Sequence, residues 1–282
     1  MLSTDDLKEK VIYYVKKRKC NGGGFCFYRL EEPNGSDTYY AVSILNLLNI
    51  KFRDINTMNY LRDLQKEDGS YSSVFSAYYS IKTLNILKEK PIQDPKPYIL
   101  ENIRIYNTNR IPPGYTSIFR EMYYLIDLCF TLKVELEEKI KNNLINFILK
   151  FKKGDGGFGY THSTLIETSQ ALSILKWLEY PIKMLNAENF LKKCENSIYG
   201  FTNMPNITPS FIGHLHAGAI TPNLLNYKPR YLKKCIEFIK ECQNNNGGFA
   251  RAALGISTLE DTYYAVSIHY LCFRYFFRLP VS

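Results

Sequence analysis

One phrase recurs six times along the 282 residues, and it constrains the fold more than any single side chain does. Its clearest copies stand near the two ends. Gly23-Gly24-Phe25 is followed twelve residues later by Asp37-Thr38-Tyr39-Tyr40-Ala41, and Gly247-Gly248-Phe249 is followed twelve residues later by Asp261-Thr262-Tyr263-Tyr264-Ala265. Four weaker copies lie between. Gly69-Ser70-Tyr71 leads to Ala77-Tyr78-Tyr79-Ser80, Gly114-Tyr115 to Met122-Tyr123-Tyr124-Leu125, Gly156-Gly157-Phe158 to Glu167-Thr168-Ser169-Gln170-Ala171, and Gly200-Phe201 to His216-Ala217-Gly218-Ala219. Marker positions near 41, 80, 125, 171, 219 and 265 give steps of 39, 45, 46, 48 and 46 residues. A self-similar period of that size marks a repeat architecture.

Each copy holds two kinds of segment. Before the glycines the pattern is amphipathic: in Tyr231 to Lys240 the apolar residues Leu232, Cys235, Ile236 and Ile239 recur at helical spacing, and Glu137 to Lys150 follows the same rule. After the glycines the segment is apolar almost all round, as in Tyr39 to Leu48 and Thr168 to Leu178. A helix that is wet on one face lies outside, and one that is dry on every face lies within. Six outer helices alternating with six inner ones predict an all-α (α/α)6 toroid of six helix-pair repeats in a single domain, residues 1–282. The glycines are expected to stop each outer helix, since glycine takes the left-handed cap conformation freely. The likeness of the first and last copies favours a closed ring over an open superhelix.

Composition narrows the setting. With 45% hydrophobic residues the chain can bury a large core, and only Pro91 to Pro97 reads as an extended loop, between repeats. The net charge of +9 suits an anionic ligand or a lysine-rich wet surface. Seven cysteines without a Cys-x-x-Cys pair suit a reducing compartment. The first dozen residues are too charged for a signal peptide to be expected there, and no apolar run reaches the roughly 18 residues of a membrane span. A soluble, cytoplasmic protein is expected. Phosphate-binding glycine loops, nucleophile elbows and nucleic-acid motifs are absent from the sequence.

The Gly-Gly-Phe turn, a dozen residues, and a Tyr-Tyr-Ala helix start resemble the repeat of protein prenyltransferase β subunits, which squalene and hopene cyclases share in related form. The resemblance covers nearly the whole chain. It implies a toroid whose central funnel, lined by aromatic side chains, holds an isoprenoid diphosphate beside a zinc ion, and it implies an α-subunit-like protein partner. In the transferases the zinc is bound by an Asp-x-Cys motif and a later histidine. Here the histidine position is occupied by Asp261, and Asp-x-Cys is missing from the preceding repeat, where His214-Leu215-His216 stands instead. The cyclases' acidic motif is met only by Thr258-Leu259-Glu260-Asp261-Thr262.

Three sets of candidate residues follow. His214, His216 and Asp261 are a normal ligand set for zinc or iron, provided that His214 lies in an extended loop, because residues two apart face one way only there. Asp37, Glu167 and Asp261 occupy the same place in three repeats, each before a threonine. They suit helix capping, or a rim of carboxylates that a diphosphate reaches only through a bridging divalent cation. Of the paired tyrosines, one of each pair is expected to face the funnel, which gives Tyr39, Tyr78, Tyr123 and Tyr263 as the wall against an isoprenoid. The expected function is isoprenoid or isoprenoid-diphosphate binding, with metal-assisted prenyl transfer. The alternatives are a non-catalytic toroid serving as a binding or partner module, and a terpene-cyclase-like enzyme using acid chemistry.

Overall fold

The computed structural model describes residues 4–28, 32–104 and 117–277. Gly114-Tyr115, the glycine marker of the third copy, lies outside them. Twelve α-helices occur among the described residues. The outer set is α1 (Thr4–Lys16), α3 (Ile55–Asp63), α5 (Lys96–Arg104), α7 (Glu138–Leu149), α9 (Ala187–Cys194) and α11 (Leu232–Glu241). The inner set is α2 (Gly35–Leu47), α4 (Val74–Ile86), α6 (Arg120–Leu132), α8 (Leu165–Trp177), α10 (Ile212–Leu225) and α12 (Leu259–Phe277). The inner helices are buried on several faces, as their composition requires: α8 buries Leu165, Thr168, Ala171, Leu172, Ile174 and Leu175 among others. The outer α7 buries only Leu144 and Ile148.

The chain divides into two compact units, residues 1–95 with 236–282, and residues 96–235. The division falls inside the Pro91 to Pro97 stretch. In the first unit α12 packs along α2 and α2 along α4, so the first and last inner helices are direct neighbours and the two ends of the repeat series meet. In the second unit α6 packs along α8 and α8 along α10.

The glycines differ in role from the cap that the sequence suggests. The outer helices end six or seven residues earlier, at Lys16, Asp63, Leu149, Cys194 and Glu241. The chain then doubles back, and a residue after each helix forms an antiparallel bridge with the aromatic six residues on: Lys19 with Phe25, Gln65 with Tyr71, Lys152 with Phe158, Glu195 with Phe201, and Gln243 with Phe249. Two of these places extend to two-residue hairpins, β1 (Glu195–Asn196) with β2 (Gly200–Phe201) and β3 (Phe249–Ala250) with β4 (Ser257–Thr258). The glycine makes the turn of this loop. Gly156 and Gly247 have φ of 94° and 89°. A Cβ at Gly156 would collide with the backbone carbonyl of Asn186, and one at Gly247 with that of Lys10, where the next outer helix begins or passes. Glycine is required twice over, for its φ and for its missing side chain.

A threonine fastens this loop to the inner helix. The Oγ1 atoms of Thr38, Thr168 and Thr262 accept from the backbone N–H of Phe25, Phe158 and Phe249, at 3.0, 2.9 and 3.0 Å. All three threonines are fully buried, so each bond satisfies a donor that has no water to turn to.

Candidate functional site

The first turns of the inner helices carry most of the chemistry that the sequence singles out. Thr164 and Thr258 cap α8 and α12. Thr164 Oγ1 accepts from the N–H of Glu167 and donates to its carboxylate, at 3.1 and 2.9 Å. Thr258 Oγ1 does the same for Asp261, at 2.9 and 2.7 Å. In α2 the partner is Asn34, whose Oδ1 accepts from the Asp37 N–H at 2.8 Å and whose amide donates to the Asp37 carboxylate. The acids therefore do not cap the helix through its free N–H groups, as expected from sequence; they hold the residue that does. Sequence position alone cannot separate the cap from the residue that braces it.

Burial is the leading influence on these carboxyls. It raises Asp261 to about 6, with the Thr258 bond acting against it. It raises Asp37 against the bonds from Asn34 and the Phe27 N–H and against the Arg18 charge. It raises Glu167 against the bonds from Thr164, Ile118 and Tyr160. The carboxylate form is disfavoured in each because few waters remain to solvate it.

In the first unit the tyrosine pairs gather. Tyr39 lies with ring centroids 5.7 Å from both Tyr78 and Tyr79 and 6.2 Å from Tyr263. Tyr40 lies 5.5 Å from Tyr263 and 6.1 Å from both Tyr79 and Tyr264. Six rings from three neighbouring inner helices thus form one aromatic cluster at tilted and edge geometries, which ring quadrupoles prefer. Tyr39 and Tyr263 are half-buried, while Tyr40, Tyr78 and Tyr79 are buried. Of the expected wall, Tyr39 and Tyr263 stand at its accessible face and Tyr78 lies behind it.

Glu260, which the sequence marks only as part of the acidic stretch Thr258 to Thr262, belongs to the same cluster. Its Oε1 accepts from the hydroxyls of Tyr40 and Tyr264, each at 2.8 Å. The signal was available within one helix, because Glu260 and Tyr264 stand four apart and therefore share a face. The bond from Tyr40 crosses between repeats and could not be read locally. Close by, Arg18 places its guanidinium 3.5 Å over the Tyr14 ring and donates to the Tyr14 carbonyl at 3.2 Å. Burial pushes the Tyr14 phenol up to about 12.

In the second unit Tyr123 is half-buried and leans on Trp177 at 5.1 Å. Ser117 Oγ donates to the Gln170 side chain at 2.5 Å, and the Ile118 N–H reaches Glu167 at 3.4 Å. His214 is not in a loop. It lies in the first turn of α10, and its Nδ1 accepts from the Phe211 N–H at 3.2 Å. Two residues along a helix turn by roughly 200°, so His214 and His216 point to different sides. The Nε2 of His216 is sealed from solvent, and burial lowers its pKa to about 3. Among the described residues no three His, Cys, Asp or Glu side chains are grouped to hold a metal ion. The donor set His214, His216 and Asp261 does not fit the zinc that the resemblance implies. All seven cysteines are buried, and none forms a disulfide. No helix among the described residues is long and apolar enough to cross a membrane.

Comparison with known proteins agrees with this architecture. The model of the prenyltransferase α-α toroid domain matches residues 1–78 and 98–276. Among solved structures, protein geranylgeranyltransferase-I of Candida albicans, complexed with GGPP, matches with a TM-score of 0.71 at 16% identity over 95% of this chain and 92% of that one. The type II terpene cyclase MstE of Scytonema, in complex with geranylgeranyl dihydroxybenzoate, matches with a TM-score of 0.57 at 10% identity over 95% and 96%. A protein from Actinoplanes matches with a TM-score of 0.54 at 11% identity over 95% and 98%. At such identities the likeness is one of fold. Curated protein sequences give no significant match. The family model spans both compact units and all six repeats, and the chain belongs to the prenyltransferase α-α toroid domain family.

Proposed function

We propose that this protein binds an isoprenoid chain against the tyrosine cluster of its first unit. The observation that carries the reading is the joining of Tyr39, Tyr40, Tyr78, Tyr79, Tyr263 and Tyr264, from three inner helices, into one aromatic surface. An isoprenoid offers only apolar faces, and half-buried aromatic rings bury such faces without leaving polar groups unpaired. The likeness to a fold that holds GGPP in one relative supports the same ligand class. Glu260 fixes the Tyr40 and Tyr264 rings through their hydroxyls, so the surface is held in one shape before a ligand arrives. A diphosphate head group has the inner-helix N-termini as its anion site, opposed by Asp37 and Asp261 at the same helix starts.

Prenyl transfer assisted by zinc is a further step for which the described residues offer no ligand group, and no step is derived through it. Acid chemistry of the cyclase kind has one observation in its favour, the Asp261 carboxyl raised to about 6.

The test is titration of a fluorescent prenyl diphosphate, with and without a chelator. Tyr39→Ala and Tyr263→Ala are each expected to weaken binding about five- to tenfold, from about 1 kcal/mol per aromatic contact. Affinity is expected to fall with chelator, because Asp37 and Asp261 repel a diphosphate that no divalent cation bridges. A loss on chelation reveals a bridging cation and moves the protein towards metal-assisted transfer. Absence of binding in both conditions ends the reading and puts the partner module first.

A further inference from the structure

Away from the tyrosines, the second unit carries a cleft of about 480 Å³ between outer helices α5 and α7, floored by α6. That size falls within the range of small-molecule sites, roughly 300–1,000 Å³. Its wall is of two kinds. Ile103, Met122, Ile140, Leu144 and Phe147 make an apolar trough. Arg104, Lys139, Lys150, Asn143 and Asn146 make its edge, and among the described residues no carboxylate lines it.

The edge has a direction. Lys139, Asn143, Asn146 and Lys150 recur at intervals of four, three and four along α7, so they form one exposed stripe beside the apolar row Ile140, Leu144 and Phe147. At 1.5 Å per residue the two lysines are about 16 Å apart, too far to grip one small anion together. The cations converge at one end only. Arg104 closes α5 and Lys139 opens α7, and Arg104 bonds Glu137, two residues before Lys139, at 3.2 Å. That ion pair is exposed on both sides and is worth little, so the guanidinium is available to a better anion.

We propose that this cleft binds a single-chain anionic amphiphile, with its head group between Arg104 and Lys139 and its chain along Ile140, Leu144 and Phe147. An uncharged chain leaves the paired cations unused. A compact anion leaves the trough wet. An acidic helix laid along α7 is the competing occupant, and it needs anionic groups at both ends of the stripe rather than one.

Dodecyl phosphate, kept below its micelle concentration, is the probe, followed by calorimetry. It is expected to bind one per chain, and dodecanol and inorganic phosphate each about tenfold more weakly or worse. Arg104→Glu/Lys139→Glu should lower dodecyl phosphate affinity about tenfold, and raised salt should lower it in the wild type. Asn143→Trp, at an exposed position, should fill the trough and abolish binding while the thermal melt is unchanged. Tyr39→Ala/Tyr263→Ala should leave binding intact, which separates this site from the tyrosine cluster. The proposal is overturned by no binding to the wild type, by an affinity indifferent to both cleft variants, or by loss in the tyrosine variant alone. Equal binding of dodecanol overturns it too. So does capture of an acidic amphipathic peptide, but not dodecyl phosphate, at this cleft, which assigns the surface to a protein partner.

Discussion

The inner helices of residues 1–95 with 236–282 carry three Tyr-Tyr pairs, and those of residues 96–235 carry one pair, Gln170 and the run His216-Ala217-Gly218. Both units use the same loop, the same threonine fastening and the same braced acid. Only the residues after the acid differ. In the first unit they are large and meet one another. In the second the corresponding stretch is small enough for Gly218 to lie directly beneath the Phe201 ring, where any Cβ would collide. The repeat therefore separates two tasks. The loop and the Thr make the scaffold in every unit, and the positions behind them form an aromatic cluster in one unit and close small-residue packing in the other.

Substitution at the turn glycines tests the shared scaffold with the largest expected effect. Gly247→Ala in the first unit and Gly156→Ala in the second should each cost about 3 kcal/mol or more, combining a left-handed φ with a backbone collision. Gly69→Ala has φ of 83°, and its Cβ would meet the Gln93 Cβ at 3.3 Å and the Asp94 carbonyl at 3.4 Å, tight contacts rather than collisions, so it should cost less, about 1–2 kcal/mol. Chemical denaturation of the three variants measures this. Equal losses at Gly69 and Gly247 would break the claim that the next outer helix explains the glycine.

A smaller effect is expected at the fastening. Thr262→Val and Thr168→Val leave the Phe249 and Phe158 N–H groups buried without an acceptor, at about 1–3 kcal/mol each. Similar values in both units would support one scaffold used twice. A loss confined to Thr262 would show that the first unit depends on its loop for a reason that the second lacks.

The smallest effect is a pH dependence, and it sharpens the comparison. Folded Asp261 holds its proton to about 6, and its ordinary value is 3.8. Between those values the folded state binds more protons than the unfolded state, so the Asp261 contribution falls as pH rises through that window. The stability of the wild type relative to Asp261→Asn should therefore fall as pH rises from about 4 to about 6. Thermal melts across that span measure it. A flat difference would mean that the carboxyl is better solvated than its surroundings indicate.

The fold was legible because its signal is periodic and local. Six glycine-aromatic turns at a period of 39 to 48 residues, with wet and dry segments between, leave few architectures open. The boundaries moved because the caps, Asn34, Thr164 and Thr258, stand before the apolar runs and carry no hydrophobic signal. The site was less legible because its parts are made across repeats. The bond from Tyr40 to Glu260 joins positions 220 residues apart, and no spacing rule reaches that far. The extended segment that the metal site requires at His214 is not formed, for a related reason. The position of His214 relative to α10 depends on where Phe211 begins the helix, and a phenylalanine at the N-cap gives no sequence warning.

The pairing of α2 with α12 also sets an order of events during synthesis. The surface that α2 must bury is translated early, and its neighbour begins only at Leu259. Between them the ribosome makes the whole of residues 96–235, a continuous unit that contains its own partners. The emerging chain thus completes residues 96–235 before α12 is made, and until then it carries an α2 face without its second neighbour. Everything that shields that face in the interval, including a chaperone or the tyrosines of α4 alone, acts on the first unit only.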